Sequence, residues 1–144
     1  MKNIKTFLIA FIMVLTLNVN AQTAKWTDIG KYQDNKVLVQ KANQSDGKTF
    51  YVMFEIGLKS YHNAHAITLG QTIEESIETI DYIISLIDKQ KNVSIDDRLA
   101  GKTYILYSIE DEGISISNDD AIGFGTPVTK PTLYRIKIKL ESMQ

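Results

Sequence analysis

The chain has no cysteine, only two prolines, two histidines and one tryptophan among its 144 residues. Without cysteine there is no disulfide framework, no thiolate metal site and no thiol nucleophile. Two histidines leave little material for an imidazole metal centre. Charge is also nearly absent as a net quantity: 16 Lys+Arg stand against 17 Asp+Glu, for a formal net charge of −1. That balance carries no field suited to nucleic acid. Several motifs are missing too: Gly-x-Ser-x-Gly, a P-loop and His-Glu-x-x-His do not occur. The Gly123-Phe124-Gly125 stretch has no predicted helix after it of the kind a phosphate loop needs. No motif points to a cofactor, and none is expected.

Long apolar runs are equally scarce. The single one is Phe7–Leu17, preceded by Lys2 and Lys5 and followed by Val19-Asn20-Ala21 before Gln22. A basic start, an apolar core and small residues at a cleavage site describe a secretory signal peptide. The run is about half the roughly 20 residues that a spanning helix needs. The expectation is therefore a cleaved leader over 1–21, export to the periplasm or the extracellular medium, and no membrane span afterwards. Residues 22–144 then form one domain, long enough to bury a core without staples. Its 14 basic and 17 acidic residues leave it mildly acidic.

What is present is organised around Thr72–Gln90. Ile73, Ile77, Ile80, Ile84 and Ile87 recur at helical spacing, which stacks them on one face. Thr72 with Glu75 reads as a capping box, and Glu74 and Glu75 suit the positive end of the helix dipole. Isoleucine is a poor intrinsic helix former, so packing must hold this helix.

The rest reads as sheet. Ala24–Asn35 is an irregular or short-strand lead-in that carries Trp26. Lys36–Ala42 and Thr49–Lys59 are strands joined at Asp46-Gly47. In the second of these, Phe50, Val52, Phe54, Ile56 and Leu58 alternate with Tyr51, Met53, Glu55 and Lys59. Thr103–Glu110, Ile114–Ser117 and Leu133–Glu141 are further strands. The last alternates Tyr134, Ile136, Ile138 and Leu140 with Arg135, Lys137 and Lys139. The predicted fold is α+β: an antiparallel sheet of about five to six strands in ββ-α-βββ order, with one amphipathic helix on one face.

Candidate sites follow from this arrangement. If the helix claims one face of the sheet, the other carries Leu38, Tyr51, Met53, Tyr104, Leu106, Arg135, Lys137 and Lys139. An apolar, aromatic area beside a basic strip is the composition of an interface. Three alternatives compete for that face: cover by the Trp26–Tyr32 segment, a homodimer contact, or the opposite register of Thr103–Glu110, which would put Ile105, Tyr107 and Ile109 there. The loop Asn118–Thr132 is a second candidate, with Phe124 between two glycines. His62 and His65 are weak metal candidates, since no Asp or Glu lies between Glu55 and Glu74. The acidic clusters at 110–112 and 118–120 read as solvated turns. The expectation is an exported, non-catalytic module that binds a protein, of an inhibitor or immunity kind. A small-molecule or lipid carrier with a cavity between helix and sheet is the alternative, and a small hydrolase using His62 or His65 is the next.

Overall fold

The computed structural model describes residues 24–55, 65–97, 102–109, 113–118 and 127–144. The expected leader over 1–21, His62, Phe124 and the acidic cluster at 110–112 lie outside the described residues. Within them, strands β1 (Lys25–Tyr32), β2 (Val37–Asn43), β3 (Thr49–Glu55) and β4 (His65–Gly70) precede helix α1 (Ile73–Asp88). Strands β5 (Val93–Asp97), β6 (Lys102–Ile109) and β7 (Gly113–Asn118) follow, and helix α2 (Lys130–Glu141) comes last. The strands form two antiparallel meanders, one of four strands in the order β1-β2-β3-β4 and one of three in the order β5-β6-β7.

The α+β class and the antiparallel pairing agree with the sequence reading. Three features correct it. The strands fall into two sheets, not one of five or six. The lead-in is a full strand, β1. Leu133–Glu141, expected as the closing strand, lies in a second helix. The reason is visible in the pattern. Leu133, Ile136 and Leu140 are fully buried, at spacings of three and four, while Ile138 points out. The expected alternation used two of those same residues. Thr129 caps the helix, accepting from Thr132 N–H, and Pro131 stands in the first turn, where its missing N–H costs nothing.

At α1 the Thr72 half of the capping box forms as expected, while Glu75 reaches one residue past the cap. Thr72 Oγ1 accepts from Glu75 N–H at 3.2 Å. Glu75 Oε2 reaches back to the N–H of Gln71 at 2.7 Å. Burial then supplies what propensity does not. Ile80, Ile83, Ile84, Leu86 and Ile87 are all buried, each contributing roughly 2 kcal/mol before the entropy of ordering it.

Both faces of β2 and β3 are buried. On one, Val37, Val39, Tyr51 and Met53 join Ile67 and Leu69 of β4, the isoleucines of α1, Leu106, Ile114 and Ile116 of the smaller sheet, and Leu133, Ile136 and Leu140 of α2. This is the main core, and it unites both sheets and both helices. On the other, Leu38, Ala42, Phe50, Val52 and Phe54 form a second cluster, with Ala24, Trp26 and Ala66 at its margin. The Trp26 and Phe54 rings lie 6.0 Å apart, tilted by 59°, and tie edge strand β1 to the sheet.

The two helices run antiparallel. Lys130 pairs with Asp88, and Lys137 Nζ lies 2.7 Å from both carboxylate oxygens of Asp81. Gln144 Nε2 donates to Glu74 Oε1 at 3.4 Å. These contacts step by seven residues on each helix, about two turns, so one seam of polar pairs follows the whole contact. Asp81 holds the Lys137 ammonium above the usual lysine range.

Candidate functional site

Two places gather chemistry. The first is the junction of the sheets. Glu55 ends the described part of β3 and is wholly buried. Its Oε2 accepts the backbone N–H of Ile116 at 2.8 Å, and its Oε1 accepts the Ser115 hydroxyl at 3.3 Å. His65 on β4 is its cross-strand partner. Burial pushes the Glu55 carboxyl up to about 7, against the lowering effect of the Ile116 and Ser115 bonds. A carboxyl poised there has the proton affinity of a general acid or base. Glu, His and Ser are also the residue types of a hydrolytic centre. Position argues otherwise, because all three are buried and Glu55 has both oxygens engaged with the protein itself. A catalytic group must reach the reacting atoms, and these face inward.

The second place is the outer surface of the helix pair. Among the described residues, the large hydrophobic side chains that stand exposed are Tyr82, Tyr134, Ile138 and Met143. Tyr82 is on α1, Tyr134 and Ile138 are on α2, and Met143 lies just beyond α2. Tyr134 and Ile138 are four residues apart, hence one above the other on the side of α2 opposite Leu133, Ile136 and Leu140. Ile138 is 64% exposed and Tyr134 46%. Arg135 and Lys139, also four apart and exposed, flank them. α2 thus shows an apolar stripe with a basic one beside it.

The expected sheet-face group is dispersed by the fold. Tyr51, Met53 and Leu106 are buried in the main core beneath the helices; they do not line an open face. Lys41 sits 6.0 Å over the Tyr51 ring, and burial raises the Tyr51 hydroxyl above its ordinary value. Leu38 is in the second cluster, on the opposite side of the sheet. Tyr104 is on β6, paired with Ile95 and Asn118. Arg135, Lys137 and Lys139 stay together, but on α2, with Lys137 turned toward Asp81. His65 lies in β4, next to Glu55; no group of three or more His, Asp or Glu that could hold a metal occurs among the described residues.

Glu55 is a site that the sequence does not mark: it falls at an outward position of the predicted strand, and no local signal shows a lone Glu as buried when its β7 partners are 60 and 61 residues away. Nor does period two mark Tyr134 and Ile138 as surface residues, since it points them to a core. The Thr129-x-Pro131 start signal was the available clue to a helix. Comparison with protein-family models, with curated proteins and with solved structures finds no match to this chain.

Proposed function

We propose that this chain is an exported, non-catalytic binding module that recognises a protein partner through the outer surface of the α1–α2 pair. The observation that carries the reading is the concentration of the exposed large hydrophobic residues on that pair, with Tyr134 and Ile138 in register beside Arg135 and Lys139. Scattered exposed apolar residues need no explanation. An ordered stripe of Tyr and Ile, flanked by Arg and with Met nearby, has the composition of an interface core. Arg135 and Lys139 suit a partner that offers carboxylates around an apolar contact. The enclosed position of Glu55, His65 and Ser115 supports a binding role over a hydrolytic one. The leader-like residues 1–21 support export, and an inhibitor or immunity-type partner fits a small module of this kind.

The test uses the absence of cysteine. Ser45, exposed in the β2–β3 turn and outside both helices, is replaced by Cys and used to immobilise the chain. Capture from an envelope extract is compared with that by a chain also carrying Tyr134→Ser, Arg135→Ser and Ile138→Ser. The expected result is an unchanged melting temperature and at least tenfold less captured partner. Equal capture by both chains contradicts the reading. Self-association lost in the triple variant would identify a second copy of the chain as the occupant of this surface, and would likewise contradict a heterologous partner.

A further inference from the structure

The two meanders are separate sheets, and among the described residues the Glu55 side chain hydrogen-bonds from one to the other. Glu55 of β3 holds β7 through the Ile116 N–H and the Ser115 hydroxyl. Its row across the larger sheet is Tyr32, Val37, Glu55 and His65. The buried side chains of α1 are Ser76 and five aliphatic residues, and those of α2 are Thr132, Leu133, Ile136 and Leu140. Leu106 of β6 and Ile114 and Ile116 of β7 lie in the same core. Among the side chains described, the other ionisable groups of this row are His65 and Tyr32. The Tyr32 hydroxyl is held above its ordinary value by burial, so it stays neutral across the physiological range.

We infer that the Glu55 carboxyl is a proton-controlled latch: neutral, it closes β7 onto the four-stranded sheet, and ionised, it loosens β7 and the entry to α2. In the neutral form the carbonyl oxygen keeps the Ile116 N–H, and the carboxyl O–H faces Ser115 Oγ, which would turn from donor to acceptor. The ionised form keeps two hydrogen bonds but holds a charge away from water. Moving β7, which supplies both of its hydrogen bonds, opens that charge to water. The movement has a route to α2. Ile114 and Val128 exchange both backbone hydrogen bonds, at 3.0 and 2.8 Å, and Val128 precedes Thr129, the α2 cap. The latch does not depend on α2 being a recognition surface.

Nuclear magnetic resonance of the full chain tests this directly. The Ile116 amide proton should shift with pH, with a midpoint near 7, and the shift should vanish in Glu55→Gln. After correction for intrinsic pH dependence, exchange at Ile114 and Ile116 should be faster at pH 8.5 than at pH 5, by up to about 75-fold. Displacement of a carboxyl from 4.5 to about 7 corresponds to about 300-fold in full, of which about fourfold is already spent at pH 5. Glu55→Gln should remove the acceleration. Ser115→Ala should raise the midpoint, because the lost bond favours the charged form. His65→Gln should leave it near 7. A midpoint below 5, corrected exchange independent of pH, or the same pH dependence in Glu55→Gln overturns the inference. So does a midpoint that disappears with His65, since the histidine would then carry the titration.

Discussion

Thr129 donates its backbone N–H to Gln33 Oε1 at 3.0 Å, across 96 residues of sequence. The same carboxamide donates through Nε2 to the Pro127 carbonyl at 2.8 Å. One side chain from the β1–β2 turn therefore holds the backbone on both sides of Val128, where the chain leaves β7 for α2. Gln33 does this from a left-handed backbone with φ of 51°, followed by Asp34 and Asn35 in the same region. Such conformations are uncommon for residues with a Cβ.

Gln33→Ala should cost about 1–3 kcal/mol in urea unfolding, the loss of two partly buried hydrogen bonds. Gln33→Gly loses the same bonds but relieves the left-handed backbone, and should lie roughly 1 kcal/mol above the alanine variant. Equal stability of all three chains would show that the clamp contributes nothing.

Glu55 gives stability a pH dependence of definite sign. Its folded carboxyl titrates at about 7, above the ordinary value of 4.5, so the folded chain holds the proton more tightly than the unfolded one. The Glu55 contribution is then fully present below about pH 4.5. It is lost as pH rises to about 7, by about 3 kcal/mol in total. Glu55→Gln should be close to wild type at pH 4.5 and more stable at pH 8, as measured by urea midpoints in matched buffers. A variant that is less stable than wild type at pH 8 would show that the carboxylate is wanted in its charged form.

Gly113 begins β7 with φ of 149°, and a Cβ there would stand 2.3 Å from the Val128 carbonyl oxygen. That oxygen accepts from Ile114, so the clash falls on the bridge that leads into α2. Gly113→Ala should lower stability by about 2–4 kcal/mol through backbone strain and the displaced bridge. Hydrogen exchange should localise the damage to Ile114 and Val128. A loss below about 0.5 kcal/mol would contradict the close approach.

The legible parts of the sequence were those set by neighbours along the chain. Thr72, Glu75 and the isoleucine spacing specify α1 because cap and stripe are local. The Asp46-Gly47 turn is local too, with Gly47 at φ of 85°. Faces were harder. The alternation in β3 is real, yet Phe50, Val52 and Phe54 are as apolar as Tyr51 and Met53 are buried, so nothing local says which set meets the helices. α2 shows the limit most clearly. Ile136, Ile138 and Leu140 satisfy period two, while Leu133, Ile136 and Leu140 satisfy helical spacing. Two of the three residues serve both patterns. The surface candidates inherit that ambiguity: Arg135 and Lys139 stand out in the sequence, but as strand residues, and period two points Tyr134 and Ile138 inward. Gln33 and Glu55 act through partners 60 to 96 residues distant, beyond any periodicity.

Site-specific photo-cross-linking tests the recognition surface most directly. A photoreactive phenylalanine analogue is placed at Ile138, and in a second chain at Ser45, which is exposed in the β2–β3 turn. Both chains are produced and irradiated in the producing cells. The helix-pair surface predicts a discrete protein adduct from position 138, and none from position 45. An adduct from position 45 alone, or none from position 138 while the bound partner is demonstrably present, would contradict it.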